Sequence, residues 1–95
     1  MRAISHFINA KPVSEAARKG QVFNPNTGAV QAEVAFAAAK TVDAAVAAAA
    51  KAFPGWAATN PQRRARVMFA FKALVEKHMD ELALLLSSEH GKVIA

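Results

Sequence analysis

Cysteine is missing altogether from these 95 residues. That absence excludes a disulfide framework, a thiolate zinc site and any thiol nucleophile, and it leaves the redox compartment without a marker. Long apolar runs are missing too: no stretch approaches the roughly 18 apolar residues of a membrane span. The one Arg near the N-terminus has no sustained apolar run behind it, as a leader would. A chain with no membrane contact, cytoplasmic by default, is expected. Glycine is sparse. Gly20, Gly28, Gly55 and Gly91 stand far apart, and none opens a helix directly after a strand. A dinucleotide phosphate cradle is therefore not expected, and no cofactor-binding residue is assigned. His6, His78 and His90 lack helical metal-ligand spacing, so no metal ligand is assigned either.

Large apolar side chains are fewer than the 54% hydrophobic content suggests, because 24 of those residues are alanine. An alanine methyl buries little area at about 25 cal/mol per Å². The larger residues concentrate in Val67 to Val75 and Leu82 to Leu86, which must supply most of any packing. A chain this short forms one small domain at most. The net charge of +5 raises the question of an anionic partner, but only Arg63, Arg64 and Arg66 cluster. The other basic residues are spread among seven acids, which reads as a solvated helix face or an interface and not as a nucleic-acid surface.

Along the chain, Ser5 to Val13 places apolar residues around Ile8-Asn9-Ala10-Lys11 and predicts two strands joined by a tight turn. A type I′ turn would put Ala10 at positive φ, where its methyl costs about 1 kcal/mol, unless another turn type is used. Ser14 to Gly20 reads as a connection. Asn24-Pro25-Asn26-Thr27-Gly28 predicts a turn, since Pro fixes φ and Gly admits positive φ. The alternation of Val30, Ala32, Val34 and Phe36 predicts a strand with one buried face.

The period then lengthens to 3.6. Thr41 is placed as N-cap of a first helix with Asp43 in its first turn, and Pro54-Gly55 as its end. Asn60-Pro61 predicts a second helix whose stripe is Val67, Phe71, Leu74, Val75 and His78. A third begins near Met79 or Asp80, carries Leu82, Leu85 and Leu86 on one side, and stops at Gly91. Trp56 is expected to anchor against helices two and three, and His78 to be packed or interfacial. Lys92 is placed as a cation complementing the last turn's dipole. Glu89-His90 reads as helix-end residues and not as an acid-base pair. Ser87-Ser88, with no Asp-His partner, reads as a helix-end pair. No catalytic residue is assigned. Lys92-Val93-Ile94-Ala95 carries no polar tail and reads as an interrupted chain.

The order of these pieces resembles the opening of the aldehyde dehydrogenase superfamily. His6 to Val13 is similar to its N-terminal hairpin, and Val22-Phe23-Asn24-Pro25-Asn26-Thr27-Gly28-Ala29-Val30 to its Asn-Pro-x-Thr-Gly turn. Thr41 to Trp56 resembles its first helix, Pro61 to Phe69 its second, and Asp80 to Ala83 with Ser88-Glu89-His90-Gly91-Lys92 its third. The Arg63 to Phe69 run and the Glu-His-Gly-Lys ending resemble the methylmalonate-semialdehyde, CoA-acylating branch most closely. Ala10, where the family usually has Gly, and Pro54-Gly55 before Trp56 depart from the pattern.

The resemblance implies an α+β fragment of an α/β aldehyde dehydrogenase fold. Residues 1–95 are then a single incomplete domain, with antiparallel strands over about 5–36 and three helices over about 42–91. It also implies NAD and CoA as cofactors of a complete enzyme, none being bound by this chain alone. The family attacks its aldehyde with a cysteine thiolate, which this chain does not have. Expected partners are the remainder of the enzyme or homologous subunits, with a homo-oligomer only for the complete enzyme. Arg63, Arg64 and Arg66 are candidates for ion pairs with either. A standalone interaction module that binds a full-length homologue is the alternative; a nucleic-acid binder has only the charge in its favour.

Overall fold

A computed structural model describes residues 1–94; Ala95, where the reading of an interrupted chain ends, lies outside them. Five strands precede three helices. They are β1 (Arg2–Ile4), β2 (His6–Ile8), β3 (Lys11–Val13), β4 (Arg18–Phe23), β5 (Val30–Phe36), α1 (Ala39–Ala57), α2 (Pro61–Lys77) and α3 (Met79–His90).

β2 and β3 form the expected hairpin, with His6 opposite Val13, Phe7 opposite Pro12 and Ile8 opposite Lys11. Its two-residue turn has positive φ at both Asn9 (52°) and Ala10 (61°), the type I′ geometry that matches strand twist. Asn tolerates that region; Ala10 is strained in it.

The other strands make a three-stranded sheet in the order β1-β5-β4. β4 pairs antiparallel with β5, and β1 pairs parallel with it. Three expectations are corrected here. The strands begin at Arg2, and one of the pairings is parallel. Arg18 to Gly20 also belongs to β4 and not to a connection, because β5 supplies a full ladder from Arg18 opposite Phe36 to Phe23 opposite Val30. Within that ladder the Phe36 ring lies over Gly20, against the place a β-carbon would occupy. The Arg18 guanidinium lies 5.6 Å from the same ring's centre, a cation–π contact at the sheet edge.

The turn between β4 and β5 is closed by its own residues. Asn24 Oδ1 accepts from the Asn26 amide at 2.9 Å, Thr27 Oγ1 accepts from the Ala29 amide at 3.2 Å, and the Gly28 amide donates to the Asn24 carbonyl at 2.8 Å. Gly28 sits at φ 76°, which explains the glycine in the Asn-Pro-x-Thr-Gly string.

The helices depart from expectation at their ends. α1 starts with Ala38 as N-cap and has no side-chain cap; Thr41 lies inside its first turn and is buried. Asp43 is beyond that turn. Pro54 does not end α1, which runs on to Ala57: a proline so near the C-terminus removes a single helical hydrogen bond. α2 begins as expected, with Asn60 Oδ1 accepting from the Gln62 amide at 2.8 Å and Pro61 at the first position. α3 ends at Gly91, φ 80°, whose amide donates to the Ser87 carbonyl.

α3 is fastened to the sheet at that end. Gln31 Nε2 donates to the Ser88 carbonyl at 2.8 Å, and Arg2 meets Glu89 at 3.3 Å. A β-carbon on Gly91 would stand 3.3 Å from Pro25, so helix end and turn abut. Ala32 on the central strand is fully buried. Around it the molecule is thin, with extents of 48 × 38 × 15 Å.

Candidate functional site: an uncovered apolar surface

Each helix turns an apolar stripe outward. On α1 it is Val42, Val46 and Phe53; on α2 it is Val67, Phe71 and Leu74; on α3 it is Leu82, Leu85 and Leu86. All are between 40% and 67% exposed. Spacing of three, four and seven places each set on one side of its helix, the pattern of a surface built to be covered. Trp56, expected to be packed, is 44% exposed, because neither α2 nor α3 folds back over it.

The total makes the same point. The accessible surface is 7756 Å² for 10.1 kDa, whereas a compact monomer of that mass exposes about 5,300 Å². The radius of gyration is 17.1 Å, against about 12 Å for a compact chain of this length. Contiguous apolar exposure on this scale marks an interaction surface.

A second feature lies where the hairpin rests on α1. His6, Phe7 and Ile8 line a hollow shared with Thr41, Ala45 and Val46 of α1. His6 Nε2 is shielded from solvent there and has no hydrogen-bond partner.

The polar residues singled out in the sequence are not gathered into one place. Glu89 is paired with Arg2. Ser88 Oγ donates to the Leu85 carbonyl at 2.8 Å, a helix-end bond. His78 lies at the α2–α3 junction, half exposed, with Nδ1 3.0 Å from Glu81 Oε2. Among the described residues no group of three or more His, Asp or Glu side chains is placed to hold a metal ion. The four glycines occupy a strand, a turn, a helix interior and a helix end, and the β5-to-α1 junction is Ala37-Ala38. Those positions do not fit a dinucleotide. Arg63 and Arg66 flank an open hollow with Asn60 and Gln62. None of Arg63, Arg64 and Arg66 meets a carboxylate among the described residues, and Arg64 Nε is shielded without a partner.

Among the described residues no helix is long and apolar enough to cross a membrane. Sequence reasoning found the stripes from their period. It missed their exposure, since periodicity tells which residues share a face and not what covers it.

Comparison with known proteins gives the surface a context. The profile of the aldehyde dehydrogenase family matches residues 13–95. The chain is 40% identical over 94 residues to malonate-semialdehyde dehydrogenase from Pseudomonas aeruginosa, covering 99% of this chain and 19% of that protein. It is 41% identical over 95 residues to an aldehyde dehydrogenase from Didymella fabae, again 19% of that protein. Among solved structures, methylmalonate-semialdehyde dehydrogenase from Oceanimonas doudoroffii superposes with a TM-score of 0.96 at 48% identity, covering 99% of this chain and 19% of the other. A protein assigned as methylmalonate-semialdehyde dehydrogenase from Sinorhizobium meliloti 1021, in complex with NAD, superposes with a TM-score of 0.95 at 50% identity, over the same shares. The chain thus spans about a fifth of the length of these relatives and corresponds to their N-terminal part. Family profile, sequence identity and superposed fold agree: the chain belongs to the aldehyde dehydrogenase family.

Proposed function

We propose that this chain is the N-terminal scaffold segment of an NAD-dependent, CoA-acylating methylmalonate-semialdehyde dehydrogenase, and that residues 1–95 form a single incomplete domain. The observation that carries the reading is the uncovered apolar surface, on a chain whose total accessible area is 7756 Å² where a compact chain would expose about 5,300 Å². Such a surface is a cost in water and an asset inside a larger body. The relatives of fivefold length, one of them in complex with NAD, support that larger body.

In this reading no catalytic, cofactor-binding or metal-ligating residue belongs to the segment. NAD accepts hydride and CoA the acyl group in the complete enzyme. The thiol nucleophile that such chemistry requires is supplied elsewhere, since this chain has no cysteine. The contribution of residues 1–95 is positional. α3, tied to the sheet through Gln31 and Arg2, and α1, beside the hairpin, present their stripes to the remainder of the enzyme or to homologous subunits. Arg63, Arg64 and Arg66 find their carboxylates there. The complete enzyme is cytoplasmic and a homo-oligomer, with no nucleic-acid or membrane partner.

The test is a chimera in which this chain replaces the corresponding fifth of the Pseudomonas aeruginosa relative. The chimera is expected to fold and to form NADH from malonate semialdehyde, while the chain alone forms none with NAD and CoA present. Turnover by the isolated chain, or a chimera that will not fold, overturns the reading. Stable stoichiometric binding of the chain to an intact homologous enzyme favours the other reading of the same exposed surface, a non-catalytic interaction module.

A further inference from the structure

We propose that the outer edge of β2, and not that of β3, receives an added strand from the body that completes this segment; the proposal rests on the scaffold reading above. The register decides which edge is open. In a hairpin with a two-residue turn the flanking pair, Ile8 and Lys11, exchanges hydrogen bonds across the strands, and alternate pairs do so thereafter. Phe7 and Pro12 are the next pair, so their backbone groups point away from each other, toward the two outer edges.

On the β3 edge the outward position is Pro12, which has no N–H to donate, and Lys11 stands beside it. Both are devices that blunt an edge. On the β2 edge the outward position is Phe7, whose N–H and C=O have no backbone partner among the described residues, and β2 carries no Lys, Arg, Asp, Glu or Pro. The two edges of one hairpin are thus treated oppositely. A strand pair of three residues each is marginal alone, and it gains a ladder only on the β2 side.

Two side chains agree with this assignment. Phe7 is 74% exposed and lines the open hollows between β2 and α1, which leaves room for a segment laid along this edge. His6 Nε2, shielded and unpartnered, is in the same strand, facing the hollow beside α1 that an incoming segment would roof. The occupant is an extended segment of the complementary four-fifths of the enzyme. The length of polypeptide that the relatives carry beyond this match is the reason to place it there and not in a second copy of the chain.

The chimera described above supplies the experiment, read by amide hydrogen exchange. The Phe7 amide is expected to exchange at least about tenfold more slowly in the folded chimera than in the isolated chain, as a newly bonded donor does. The substitution Phe7→Pro, which makes the β2 edge like the β3 edge, is expected to lower the chimera's thermal midpoint. Lys11→Gln, on the blunted edge, is expected to leave it within a degree or so. An active chimera whose Phe7 amide exchanges as fast as in the isolated chain overturns the strand addition while leaving the scaffold reading intact. An inactive, unfolded chimera fails the scaffold reading itself.

Discussion

Ala10 shows most directly what one side chain does to the backbone. Its φ of 61° brings the β-carbon toward its own carbonyl oxygen, at a cost of about 1 kcal/mol. Asn9 and the hairpin register leave the turn no other geometry. Ala10→Gly removes the strain without touching a contact and offsets part of the gain by loosening the unfolded chain. In the folded chimera, where the hairpin is held, amide exchange at Ile8 and Lys11 is expected to slow by about two- to fivefold, corresponding to roughly 0.5–1 kcal/mol of local opening energy. Faster exchange would mean that the turn is relaxed with alanine. The sequence left two options, a strained type I′ turn or another turn type, and the positive φ at both Asn9 and Ala10 decides for the first. The Phe36 ring over Gly20 was not legible. It depends on the β4–β5 register, which only the assembled ladder sets.

Among the elements, the turn and the second and third helices were readable because their signals are local. Asn24 to Gly28 contains its own hydrogen-bond partners, and Asn60-Pro61 and Gly91 mark helix ends by backbone chemistry. Asn60→Ala removes the bond to the Gln62 amide and is expected to destabilise α2 by about 1 kcal/mol. Asn60→Ser is expected to restore most of it, with thermal unfolding of the chimera followed by circular dichroism as the measure. Equal midpoints for the parent chimera and the alanine variant would show that the cap contributes nothing. β1 and the start of α1 were not readable for the opposite reason. β1 is three residues paired in parallel with a strand about thirty positions away, and a sequence window contains no sign of such a partner. At α1, Thr41 has the right side chain for a cap, yet the helix begins two residues earlier at Ala39, with Ala38 as its cap. Thr41 is instead buried under the hairpin, a tertiary placement that outweighs its local preference.

For the whole molecule, the fold class was readable and the state of its surface was not, since the apolar stripes were identified as packing faces and the packing is incomplete. An unfolded chain of 10.1 kDa exposes about 14,600 Å², so this chain buries a little under half of that surface, where a compact domain of its size buries at least roughly 60%. Conformational entropy is nearly the same for both, at about 1–2 kcal/mol per ordered residue. The shortfall therefore falls entirely on the stabilising side, in a balance whose usual surplus is only about 5–15 kcal/mol. The isolated chain is accordingly expected to lack a sharp cooperative melt, to bind a hydrophobic dye along the α1, α2 and α3 stripes, and to keep its helices while losing fixed packing. Far-ultraviolet circular dichroism should then fall gradually with heating, and the near-ultraviolet signal of Trp56, the single tryptophan, should be weak. A monodisperse monomer with one sharp transition and no dye binding would mean that the exposed stripes need no cover, and the scaffold reading would lose the observation on which it stands.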